Sequence, residues 1–88
     1  MVKRKLVISN PSGLHTRPAA VFARTAKKYQ SATKIIANGS SVNGKSTVAI
    51  LSAGLIKGTE IELQTEGADE VEAMEGLTEL LESGCGEK

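Results

Sequence analysis

Tryptophan is absent, and only Phe22 and Tyr29 are aromatic. A single-strand nucleic-acid binder needs an exposed stacking platform, and two aromatics within one predicted helix do not make one, so no nucleic-acid partner is expected. One cysteine, Cys85, cannot form an internal disulfide; it lies in a glycine-rich tail, reads as an incidental tail residue and fits a reducing cytoplasm. The longest apolar runs, such as 48–51, are far below the ~20 residues that cross a bilayer, and no charged-then-apolar leader precedes Leu6. Neither membrane insertion nor secretion is expected. The only histidine, His15, has no second His or Cys beside it to share a metal, and no metal or cofactor is expected.

Carboxylates are missing from residues 1–58, which hold ten Lys or Arg; residues 59–88 hold ten acids and one Lys. The two parts therefore carry +10 and −9 within a net charge of +1. That polarity predicts a basic face, suited to an acidic protein surface or a phosphorylated donor. Solvated surface charge is the plain alternative for most of the lysines. Because every acid lies beyond Gly58 and so short a chain offers little depth to bury one, a Ser-His-acid triad is not expected.

What is present is ordinary for a folded, water-soluble chain: 40% hydrophobic and 24% charged residues. Its 88 residues make one domain, 1–88, taken as monomeric, with room for a core but only a shallow site. Residues 2–9 read as a strand rich in Val, Leu and Ile, ended by the turn cluster Asn10-Pro11-Ser12-Gly13. Ala19, Phe22, Ala23, Ala26 and then Tyr29 or Gln30 recur at helical spacing, with Arg24, Lys27 and Lys28 mostly elsewhere. Pro18 marks the first turn of that helix, which begins near His15 and Thr16.

Residues 32–37 read as a second strand, joined by the Asn38-Gly39 turn to a short third strand around Ser41 and Val42. After Asn43-Gly44, Ser46 is the N-cap of a short apolar helix over 47–53, closed by Gly54. Residues 59–65 alternate Glu60, Glu62 and Gln64 with Ile61, Leu63 and Thr65, the pattern of a strand with one wet face. Asp69 and Glu72 resemble a capping box; Val71, Met74, Leu77 or Thr78, and Leu81 then continue at helical spacing to Gly84. The order βαββαβα predicts an α+β fold, an antiparallel sheet with helices on one face.

Two motifs compete for the function. Gly39-Ser40-Ser41-Val42-Asn43-Gly44-Lys45-Ser46 satisfies the P-loop pattern. Against it, such a nucleotide site also needs a carboxylate for magnesium, and the only aspartate, Asp69, stands at a helix start. Turn signals and a helix cap explain the same residues. The second motif, Gly13-Leu14-His15-Thr16-Arg17-Pro18-Ala19-Ala20, sets the histidine at a helix start beside an arginine. An imidazole must be unprotonated to attack phosphorus, and the positive end of a helix, with Arg17 nearby, disfavours the imidazolium. After transfer, the amides of the helix start and the Arg17 guanidinium can bind the phosphate oxygens. Gly13 supplies freedom in the preceding turn. Without these neighbours, a lone histidine would read as a surface or capping residue.

These residues resemble the HPr family, the histidine-containing phosphocarriers of the bacterial phosphoenolpyruvate-dependent sugar phosphotransferase system. The resemblance spans essentially the whole chain, with residues 13–20 matching the active-site motif, Lys45-Ser46 a regulatory segment, and Lys57-Gly58-Thr59-Glu60-Ile61 the approach to the last strand. It implies an open-faced β-sandwich with a four-stranded antiparallel sheet and three helices on one face. It also implies that enzyme I phosphorylates His15 on Nδ1, that Arg17 stabilises the phosphoryl group with Gly13, Thr16 and Pro18 in support, and that the A domains of the enzyme II sugar permeases receive it.

On the same resemblance, Ala20, Arg24, Lys27, Val48 and Leu51 dock partners, and Val48, Leu51 and Leu55 form an apolar patch beside the histidine. Burial in the core is an equal reading of Val48 and Leu51. Ser46 matches a position phosphorylated by an HPr kinase/phosphorylase and read by a catabolite-control transcription factor, with helix capping as the alternative. The sequence departs from the family at Thr47, where a large apolar residue is usual, and this bears on partner affinity. The resulting expectation is a stoichiometric cytoplasmic carrier, not an enzyme with turnover of its own. A regulatory binding protein acting through Ser46 and a P-loop nucleotidase are the alternatives; retention of His15 and Arg17 weighs against the first.

Overall fold

A computed structural model describes residues 1–85; the last three of the expected 1–88 domain lie outside the described residues. The elements are β1 (Val2–Val7), α1 (Thr16–Ala26), β2 (Ala32–Ala37), β3 (Ser40–Asn43), α2 (Thr47–Ser52), β4 (Glu60–Glu66) and α3 (Glu70–Glu82). One four-stranded sheet runs in the order β1-β4-β2-β3, every neighbouring pair antiparallel. This is the expected open-faced sandwich, with the three helices packed on one face. Among the described residues no helix is long and apolar enough to cross a membrane.

Alternation along the central strands creates that one-sided burial. Thr33, Ile35 and Ala37 of β2 and Ile61, Leu63 and Thr65 of β4 face the helices, with Ile35 opposite Leu63 and Thr33 opposite Thr65. Phe22 from α1, Ile50 from α2 and Met74 and Leu77 from α3 close over them, all fully buried. Each such side chain contributes roughly 1.5–3 kcal/mol through removal from water. Since α1 supplies Pro18, Ala19, Phe22, Ala23 and Ala26 to this core, its start is fixed by packing on the sheet.

Several expectations need correction. Tyr29 and Gln30 lie beyond the end of α1, though Tyr29 still packs on the core. Val71 is 57% exposed: the buried stripe of α3 runs through Ala73, Met74, Leu77, Thr78 and Leu81, and Val71 is rotated about 90° from its centre. The opposite flank is taken by Tyr29, whose hydroxyl lies where a Cβ on Gly76 would be. Cys85 is buried in the core instead of being an incidental tail residue.

The predicted capping box is also replaced. Asp69 is the N-cap of α3 but its side chain makes no cap bond; it accepts the Gln30 and Ser31 amides at 2.9 Å each and the Ser31 hydroxyl at 2.5 Å. The carboxylate therefore ties α3 to the end of the α1–β2 connection. Glu70 closes its own turn by accepting the Gly67 amide at 3.1 Å and the N-terminal ammonium at 3.0 Å. The Ser31 hydroxyl and Gln30 amide hold the Asp69 carboxyl below its ordinary value. The Gly67 amide and N-terminal ammonium do the same for Glu70.

On the outer face of the sheet the two signs of charge meet. Lys5 stands opposite Glu62 across β1 and β4, and Lys3 and Lys34 both flank Gln64, so the outer sheet face is mixed. Antiparallel pairing brings the two oppositely charged stretches together there. The segment matching the P-loop pattern is a hairpin turn, strand β3 and the cap of α2, and its Lys45 ammonium donates to the Tyr29 carbonyl at 2.9 Å.

Candidate functional site

The loop between β1 and α1 is anchored on both sides of the histidine. The Gly13 amide donates to the Asn10 carbonyl at 2.9 Å, closing a tight turn, and the Leu14 amide donates to the Leu55 carbonyl at 2.8 Å. Gly13 has φ +69, and a Cβ there would overlap the Leu55 carbonyl oxygen. Leu14 is buried on one side of His15, and Pro18 and Ala19 on the other. Between these fixed points His15, Thr16 and Arg17 are exposed.

His15 is the N-cap of α1, extended at φ −83 and ψ −165, and its carbonyl accepts the Ala19 amide at 2.9 Å. Its side chain makes no cap bond, and the first turn contains no acid. Pro18, the third residue of the helix, has no N–H to offer. The amides of Thr16 and Arg17 thus remain open at the helix start among the described residues, where an anion is favoured by both the donors and the dipole.

His15, Thr16, Arg17, Ala20, Val21 and Arg24 line one shallow depression. Ala20, Arg24 and Lys27 follow at four- and three-residue steps on one side of α1, but Lys27 sits at the C-cap and does not line that depression. Gly13 and Pro18 are buried beneath the site.

Helix α2 lies against α1. Val48 is 73% and Leu51 38% exposed, so the reading of both as core is excluded. Leu55 is buried, whereas its neighbour Ile56 is 68% exposed and its Cα lies 2.8 Å from where a Gly13 Cβ would stand. Ile56, not Leu55, is therefore the exposed apolar residue beside the histidine loop. Sequence reasoning missed Ile56 and Val21; an apolar residue in the Leu55-Ile56-Lys57-Gly58 loop was the available signal for the first. Ser46 is half-buried, and its hydroxyl accepts the Ala49 amide at 3.2 Å. Thr47 is the first residue of α2 and is also half-buried.

The geometry has close counterparts. A family model described as the PTS HPr component phosphorylation site matches residues 2–83. The phosphocarrier protein HPr of Neisseria meningitidis serogroup A is 44% identical over 87 residues, covering 99% of this chain and 98% of that protein. That of Buchnera aphidicola subsp. Acyrthosiphon pisum is 48% identical over 81 residues, 92% of this chain and 95% of the relative. The crystal structure of HPr-C-His from Thermoanaerobacter tengcongensis has a TM-score of 0.95 at 41% identity, covering 100% of this chain and 99% of that one. With the motif, the helix start and the sheet order all in agreement along the length of the chain, it belongs to the HPr family of phosphocarrier proteins.

Proposed function

We propose that the chain, as a single domain over 1–88, accepts a phosphoryl group on His15 Nδ1 from phospho-enzyme I and passes it to the A domains of enzyme II sugar permeases. The observation that carries this reading is an exposed histidine at the start of α1, with the Thr16 and Arg17 amides open among the described residues and no acid in the first turn. In the transfer the His15 Nδ1 lone pair attacks phosphorus, the bond from phosphorus to the donor breaks with its electron pair leaving on the donor, and the proton that the His15 ring gives up from Nε2 is matched by one taken up by the departing donor group. Backbone donors and the Arg17 guanidinium stabilise the charge on the equatorial oxygens. In the onward step the acceptor's nucleophile attacks the same phosphorus, the His15 N–P bond breaks and the His15 ring takes back a proton, so the chain ends as it began and is a stoichiometric carrier.

Ala20, Arg24, Val48, Leu51 and Ile56 form the docking surface, and Lys27 adds charge at its margin. The basic side chains steer acidic partners, so added salt slows transfer; a salt-independent rate contradicts the steering. Ser46 is the second acceptor, for an HPr kinase/phosphorylase, with a catabolite-control transcription factor as reader. A dianion there suits the start of α2 while repelling acidic partners. The carrier works as a cytoplasmic monomer.

Incubation with enzyme I and labelled phosphoenolpyruvate decides the main reading. The wild type is expected to take up acid-labile, base-stable label and His15→Ala none; equal labelling of the two overturns it. Incubation with HPr kinase and ATP is expected to label the wild type and leave Ser46→Ala unlabelled.

A further inference from the structure

The Asn10 side chain lies almost completely out of water, 1% exposed, at the base of the loop that carries His15. Its Nδ2 donates to the Gly84 carbonyl at 2.7 Å, a contact between residues 74 apart in sequence. Gly84 belongs to a rigid stop at the end of α3. The Gly84 amide donates to Leu81 and the Cys85 amide to Leu80, with Gly84 at φ 77 and Cys85 at φ 53. This pair of bonds is the Schellman arrangement, which fixes the chain direction after the last turn. The Gly84 carbonyl is therefore held by α3 and the core, not by the loop that it contacts.

From Asn10 the connection continues through its own carbonyl to the Gly13 amide and, one residue on, through the Leu14 amide to the Leu55 carbonyl. His15 follows directly. A hydrogen bond in so dry a position resists exchange with water, and a primary amide is the group of this size that can offer an N–H to a carbonyl from that point.

We infer that Asn10 is a positioning residue for phosphoryl transfer, latching the His15 loop to the C-terminal stop of α3 through its Nδ2 bond to the Gly84 carbonyl. The inference rests on the reading of His15 as the phosphoryl acceptor. Asn10 acts through the loop and does not touch the phosphoryl group. Docking falls mainly to Val48 and Leu51, which α2 holds outside this connection.

The test compares wild type, Asn10→Ala and the isosteric Asn10→Asp, whose ionised side chain has no N–H to donate. Phosphoryl acceptance from enzyme I is measured well below each protein's Tm, with Cys85 reactivity toward a thiol reagent as a second readout. The expected result is a fall in kcat of roughly tenfold or more, from misplacement of the acceptor, with KM for the carrier unchanged and Cys85 more reactive. A folded Asn10→Ala with wild-type kcat, or with only KM altered, overturns the inference. A merely structural role lowers Tm and leaves kcat intact.

If both variants fail to fold, hydrogen exchange in the wild type decides. The Leu14 and Cys85 amides are expected to share one opening free energy and one denaturant slope; two unrelated openings overturn the latch. Absence of label on wild-type His15 is a different failure, that of the acceptor reading itself.

Discussion

The two long helices begin in opposite ways. At the start of α3, Glu70 and Glu72 fill the first turn, the Glu70 carboxylate takes up the Gly67 amide, and Asp69 reaches across to three donors on Gln30 and Ser31. Among the described residues the start of α1 has no acid and no side-chain cap, and Pro18 removes one donor while Thr16 and Arg17 keep theirs open. Negative charge stabilises any helix start. One helix carries that charge permanently, and on the function proposed above the other receives it as phosphate. The cost of the open end is met by packing, since Pro18, Ala19, Phe22 and Ala23 are buried.

The largest expected effect comes from making α1 resemble α3. Arg17→Glu puts an acid in the first turn, repels the incoming phosphoryl group and removes its counter-charge. Transfer from enzyme I is expected to fall by about a hundredfold or more, while a urea titration shows stability unchanged or raised. Near-wild-type transfer would show that the open, acid-free start is incidental.

Gly13→Ala addresses the anchoring on which α1 depends. A Cβ at φ +69 meets the Leu55 carbonyl, so a loss of about 2 kcal/mol is expected in urea unfolding, together with slower phosphorylation. Equal loss of stability with undiminished transfer would separate the turn from the site. Ser46→Ala tests the intermediate case of α2, capped by a hydroxyl, and is expected to cost about 1 kcal/mol by the same measurement.

The smallest effect concerns acid. The carboxyls of Asp69 and Glu70 are lowered by their hydrogen bonds, so they bind protons less readily when folded than when unfolded. Their stabilisation is present above the ordinary carboxylate range and is lost as pH falls through the lowered folded values. Asp69→Asn is expected to flatten the acid side of a plot of urea midpoint against pH and to leave phosphoryl transfer as it was. A change in transfer would mean that the two helix starts are coupled.

Elements set by local chemistry were legible. The apolar stripe through Ala19, Phe22, Ala23 and Ala26, the alternation of Ile61, Leu63 and Thr65, the turn at Asn38-Gly39 and the cap at Ser46 all stand as read, because each depends on spacing along a few residues. So does the placing of His15 at a helix start. The readings that failed depended on distant partners. Asp69 has the spacing of a capping residue, but Ser31 and Gln30, 38 and 39 residues away, offer better donors. Leu55 and Ile56 are adjacent and similarly apolar, yet the Leu14–Leu55 hydrogen bond sits where one turns inward and the other outward.

By itself, then, the sequence determined the order βαββαβα, the helix that presents His15 and the chemistry available beside it, since period, turn residues and side-chain type act locally. Tertiary structure alone decided that Lys5 would face Glu62 and not join a basic surface. It also decided that Val48, Leu51 and Ile56 would be exposed, and that Asn10 would find Gly84 across 74 residues. Those outcomes depend on which strands pair and which helices pack, and long-range contacts leave no period in the chain from which to read them.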